Sequence, residues 1–162
     1  MIEINEAKAK LIYVIEKLQE KKSLSETVGE DYYDPGNMEY LDKYLGEFDP
    51  TTNNANLRVE AKGLRYEGRT ERLDKLKVGD SVKLVRDPGN IYNSNNFIIN
   101  NKENNSIGNL PAELCNAIAP LFDSGNLKMV SSRVSYVERL RDRSRYATQG
   151  VLFIEIKLQL TL

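Results

Sequence analysis

The side chains best suited to chemistry in this sequence are arginines and tyrosines set among asparagines. Arg65-Tyr66 ends an alternating apolar stretch, and Asn90-Ile91-Tyr92-Asn93-Ser94-Asn95 lies between two others. Asn109 falls in a turn. Arg139, Arg141, Arg143 and Arg145 alternate through RLRDRSRYATQG, diluted only by Asp142. An aromatic ring beside a guanidinium suits single-stranded nucleic acid: bases stack on the ring while the cation meets phosphate. Asparagine amides both donate and accept, so Asn90, Asn93 and Asn109 can address sugar and base edges. Taken singly, each tyrosine is a surface ring with its hydroxyl in water. The arginine run is equally a solvated hairpin end. Only the combination points to nucleic acid.

Other chemistry is hard to build from these residues. There is no histidine, which removes the usual general base at neutral pH and the commonest metal ligand. A zinc site would have to rest on carboxylates and one cysteine. No GxxxxGK[ST] phosphate loop occurs. Glu30, Asp31 and Asp34 cluster in a turn-rich stretch, but their spacing matches no ligand pattern. The expectation is a non-enzymatic chain with no cofactor or metal. Cys115 is the lone cysteine, so no intramolecular disulfide forms and a reducing cytoplasm is the expected location. Glu3 and Glu6 stand where a signal peptide needs positive charge, and no apolar run approaches 18 residues, so no membrane partner is expected.

The elements that must hold these residues differ along the chain. From Ile4 to Lys22, Ile4, Ala7, Leu11, Val14, Ile15 and Leu18 recur at helical spacing. That stripe needs a cover, either the rest of the chain or a second copy in a homodimer. A short second helix is expected from Asn37 to Leu45, stopped by Gly46. FDPTTNNAN then reads as a linker, with the domain boundary near Asn56. Charge divides at the same point: residues 1–56 carry 6 Lys/Arg against 12 Asp/Glu, and residues 57–162 carry 17 against 12. A basic half favours phosphate-bearing partners.

From Leu57 the period becomes two. LRVEAKG, the stretch through Val82 and Leu84, NNFIIN and SIGNL read as strands, with turns at Gly79-Asp80 and Asn100–Asn105. Pro111 opens a helix whose inner face is Leu114, Cys115, Ile118, Leu121 and Phe122, closed by Ser124-Gly125. The last stretch is a long hairpin with arms Leu127–Val137 and Val151–Leu162. The expected fold is mainly β (α+β): a small, closed or nearly closed barrel of five to six strands with an inserted helix, after a helical N-terminal segment. Closure would remove exposed edges.

The order of several segments resembles the HIRAN domain. They are KGLRYEG (Lys62 to Gly68), VKLVRDPGNIYNSNNFII (Val82 to Ile99), SIGNLPAEL (Ser106 to Leu114) and IAPLFDSG (Ile118 to Gly125). The resemblance implies an OB-like β-barrel, found alone in bacterial and phage proteins, that in its best-understood member captures single-stranded DNA at the 3′ end. It implies DNA contact by Arg65 and Tyr66 and base stacking by Tyr92. Asn93 falls where that member uses an aspartate for the terminal 3′ hydroxyl, and Asn109 where it has histidine. Asn96 replaces a small apolar residue. Without charge at Asn93, selection for a free hydroxyl end should be weaker. The expected function is therefore a single-stranded DNA-binding module using Arg65, Tyr66, Asn90, Tyr92, Asn93, Asn109 and the Arg139–Arg145 tip. The alternative is a protein-interaction adaptor of phage or mobile-element origin that does not use DNA.

Overall fold

The computed structural model describes Ala9, Leu11 and Tyr13 and residues 47–49, 51–66 and 68–161. Of the N-terminal helix expected over 4–22, Ala9, Leu11 and Tyr13 are helical, and Leu11 is fully buried against the main core. The rest of that helix, and the one expected over 37–45, lie outside the described residues.

Among the described residues there are seven strands: β1 (Glu47–Asp49), β2 (Asn54–Glu60), β3 (Lys83–Arg86), β4 (Phe97–Asn100), β5 (Ser106–Asn109), β6 (Leu127–Glu138) and β7 (Val151–Leu160). Two α-helices join them, α1 (Arg69–Leu73) and α2 (Ala112–Asp123). All strand pairs are antiparallel. They form two sheets, β1-β2-β7-β6 and β3-β4-β5.

This corrects the closed barrel. Among the described residues the two sheets share one core but are hydrogen-bonded to each other at two seams, by the single bridges Lys62↔Asn109 and Ser81↔Arg133. At each seam the chain leaves extended geometry at once, into the Gly63 turn on one side and the Gly79-Asp80 turn on the other, so no ladder can propagate. Residues 51–53 turn β1 back onto β2, with the Asn53 N–H donating to the Asp49 carbonyl at 2.8 Å. Asn56, near which the sequence places a domain boundary, lies in β2.

Period-two patterning positions the core. Leu57, Val59, Leu152, Ile154, Ile156, Phe97, Ile99 and Ile107 turn inward and are almost wholly buried. Each such side chain favours folding by roughly 1.5–3 kcal/mol on leaving water. α2 closes the core with Leu114, Cys115, Ile118 and Leu121, as its spacing predicts, and Phe97 meets Phe122 edge-on at 5.4 Å. The β6–β7 hairpin has the expected arms to within two residues. Two register shifts in β6, at Met129/Ser131 and Val134/Tyr136, coil it around the core.

Candidate nucleic-acid interface

The loop 87–96 is built by amides. Asp87 Oδ2 accepts from Asn90 Nδ2 and Asn96 Nδ2, both at 3.1 Å. Asn90 Oδ1 accepts from the backbone N–H groups of Tyr92 and Asn93, at 2.9 and 3.0 Å. Such local bonds are what make asparagine a turn residue. Asn93 Nδ2 and Asn95 Nδ2 both donate to Asn116 Oδ1 on α2, at 3.1 and 3.2 Å. Arg86 clips the loop from below: its Nη1 donates to the carbonyls of Ser94 and Asn96, and its other nitrogens grip the Asp123 carboxylate at 2.9 Å. The Arg86 hydrogen bond holds the Asp123 carboxyl below its ordinary value. The pinned loop pushes Tyr92 and Ile91 into solvent, 91% and 87% exposed.

A second loop carries Arg65-Tyr66. Gly63 starts it at φ +70°, and a Cβ there would lie 3.1 Å from both Arg69 Nη1 and Asn109 Nδ2. Glycine takes that conformation at no steric cost and leaves room for both side chains. Arg65 lies over the Tyr66 ring, with Cζ 5.0 Å from the centroid and Nη2 donating to the Tyr66 hydroxyl at 2.7 Å. The hairpin tip repeats this pair. Arg145 sits 5.0 Å over Tyr146 and donates to its hydroxyl at 2.8 Å.

Hydrogen bonds link these loops to one another. The Leu64 N–H donates to Gln149 Oε1 at 3.0 Å, tying the Arg65-Tyr66 loop to the tip. Lys62 and Asn109 exchange backbone bonds at 2.9 Å. Asn109 Oδ1 accepts from Asn96 Nδ2 at 3.3 Å and Arg69 Nη2 at 3.5 Å, joining the 87–96 loop to the same hub. Asn96, where the family resemblance implies a small apolar residue, is a buried link between Asp87 and Asn109.

The sequence-expected residues thus divide. Arg65, Tyr66 and Tyr92 present outward groups. Asn93 keeps one lone pair and one N–H beyond its bonds to Asn95 and Asn116. The carbonyls of Asn90 and Asn109 each already accept twice, so these residues mainly build the loops. The arginine tip is not a uniform cationic end. A 3-10 turn at Leu140–Asp142 breaks the alternation, Arg143 donates to the Gln149 carbonyl, and Arg139 is half-buried. Arg141 and Arg145 are exposed. Sequence reasoning missed Tyr146, 78% exposed, although Arg145-Tyr146 repeats the Arg65-Tyr66 dipeptide. It also missed the buried Arg69 and the acceptor Asn116. Among the described residues, no group of His, Cys, Asp and Glu could hold a metal ion, and no helix is long and apolar enough to cross a membrane.

A family model described as the HIRAN domain matches residues 54–157. No curated protein matches the chain. Among solved structures, the crystal structure of the HIRAN domain of human HLTF is 25% identical, with a TM-score of 0.46 over 64% of this chain and 76% of that one. A Lactobacillus plantarum protein is 21% identical, with a TM-score of 0.49 over 64% of this chain and 97% of its own. The NMR structure of the HLTF HIRAN domain in its DNA-bound conformation is 24% identical, with a TM-score of 0.42 over 65% and 75%.

Proposed function

The chain belongs to the HIRAN domain family, and on that premise we propose that it is a non-catalytic module that binds single-stranded DNA, strand ends included. One observation carries this reading. Tyr66 and Tyr92 are exposed on loops whose conformations are fixed by internal hydrogen bonds, with Arg65 stacked on Tyr66. A ring held out on a rigid loop loses little conformational freedom when a base stacks on it. In this reading Tyr66, Tyr92 and Tyr146 stack bases, Arg65, Arg141 and Arg145 meet phosphates, and Asn93 bonds sugar or base edges. Asn93 offers a neutral acceptor, so a terminal 3′ phosphate is repelled far less than by a carboxylate.

Fluorescence anisotropy tests it. Labelled single-stranded oligonucleotides with a 3′ hydroxyl or a 3′ phosphate are compared with blunt duplex at two salt concentrations. Single strands should bind best, the two ends should differ by less than about tenfold, and binding should weaken steeply with salt. Absence of binding at low salt sinks the proposal. The exposed Ile91 beside Tyr92 favours a second reading, a protein partner seated on that loop. Retention of a partner after nuclease treatment, with no oligonucleotide bound, would select it.

A further inference from the structure

A cavity of about 500 Å³, lined by none of the tyrosine-loop residues, lies between α1, the 74–82 turn and the 101–105 hairpin. Lys75, Lys102 and Arg72 line it, together with Asp80, Glu103 and Ser81. Its size lies in the range that holds small organic ligands.

The balance of charge inside decides what fits. Asp80 Oδ2 is engaged by the Lys77 N–H at 2.9 Å, where it closes the turn. Asp80 and Glu103 are the two carboxylates of the lining, and three cations stand against them. Lys75 and Lys102 are exposed and have no ion-pair partner among the described residues. Arg72 is held in place, its Nη1 donating to the Ser106 carbonyl at 2.6 Å and the Ser106 hydroxyl at 3.3 Å.

The wall that carries Lys102 is also fixed. Asn101 Oδ1 accepts from the N–H groups of Glu103 and Asn105, and Lys83 Nζ donates to Asn104 Oδ1 at 3.1 Å. The cations therefore come from separate, rigid elements and share one concave space. That arrangement suits an anion with several acceptor oxygens better than a single carboxylate. α1 sets the two sites back to back. Arg69 reaches Asn109 and Gly63 at the tyrosine loops, Arg72 faces the cavity, and the Ser106 hydroxyl accepts from both.

We infer that this cavity is a second site, for a phosphate group carried on a nucleotide or on the backbone of an oligonucleotide. The site uses none of the tyrosine-loop residues and stands or falls separately from the single-strand reading.

The test is amide chemical-shift mapping by NMR on the full chain, with dTMP, thymidine, and oligo(dT) of 3 and 12 nucleotides. The expected result is movement of the Ser81 and 101–105 amides with dTMP or with the 12-mer, but not with thymidine. Movement with dTMP assigns the phosphate to a free nucleotide. Movement with the 12-mer alone assigns it to a DNA backbone that reaches around α1. The double variant Lys75→Gln/Lys102→Gln should weaken that response at least tenfold while oligo(dT)-induced shifts at Tyr66 and Tyr92 persist. Silence of these amides with both dTMP and the 12-mer overturns the inference. So does an equal response to thymidine, or a response that survives the double substitution.

Discussion

Tyr92 is the side chain on which the functional reading leans hardest, because the fold gives it nothing to do. Its ring is almost fully exposed, and removing it costs the core nothing. Tyr92→Ala should therefore leave thermal unfolding unchanged while weakening oligonucleotide binding about 5- to 150-fold, the equivalent of roughly 1–3 kcal/mol of stacking. Tyr92→Phe keeps the ring and should bind nearly as well, and calorimetric titration of the three proteins separates these cases. Cys115 shows the opposite condition. Burial pushes its thiol up to about 11, so at pH 8 it is protonated as well as inaccessible. A thiol reagent such as DTNB should modify it only as fast as the protein unfolds. Rapid labelling of the native chain would contradict its burial in the core. The burial of Cys115 was legible from helical spacing, and the loop position of Tyr92 from the asparagine-rich segment around it. Tyr146 was legible as well, since the dipeptide it shares with Arg65-Tyr66 is in plain view. The amide network was not, because Asn93 meets Asn116 across 23 positions and nothing local marks the pairing.

At the scale of elements, the loops work because helices and strands clamp them. The Arg86–Asp123 pair fastens α2 to β3 and to the Ser94 and Asn96 carbonyls. Asp123 has its folded-state pKa depressed, mainly by the Arg86 hydrogen bond. The stability it adds is thus present above the unfolded carboxylate value of about 4 and is lost as pH falls through the lower folded value. Because Asp123 is half exposed, that contribution is small. Comparison of wild type with Asp123→Asn should show thermal stabilities that differ at pH 7 and converge as pH falls through the lowered folded-state value. Curves that stay parallel would assign the pH response elsewhere. The base of the hairpin tip is clamped as tightly. A Cβ at Gly150 would run into Leu73 Cδ2 and lie 2.6 Å from the Glu138 carbonyl. Gly150→Ala should destabilise the fold by about 1–3 kcal/mol, as overpacking does, with a midpoint shift measurable in urea. The strands, α2 and the long hairpin were readable because each is long enough to show its period. α1 spans five residues, too few to show one, and it follows a glycine turn that looks like ordinary loop. β1 was hidden because Asp-Pro-Thr-Thr-Asn-Asn makes an equally good linker or hairpin turn.

For the whole molecule, two small sheets joined at seams replace the single barrel, and the loops at one seam gather the candidate site. Alternation within a strand says which face is buried. It does not say which strand lies alongside, so the division into two sheets could not be read from periodicity. The charge division was readable. Residues 57–162 carry the cationic excess, and the Arg-Tyr loops and the cavity cations all fall within them. If phosphate contacts dominate, log affinity for single strands should fall linearly with log salt, with a slope that becomes shallower when Arg65, Arg141 or Arg145 is replaced. The most direct test of the central claim is the affinity of the full chain for labelled oligo(dT), set against the Tyr66→Ala/Tyr92→Ala double variant. Wild type should bind, and the double variant should bind at least tenfold more weakly while unfolding at the same temperature. Equal affinity of the two proteins would contradict base stacking on these rings.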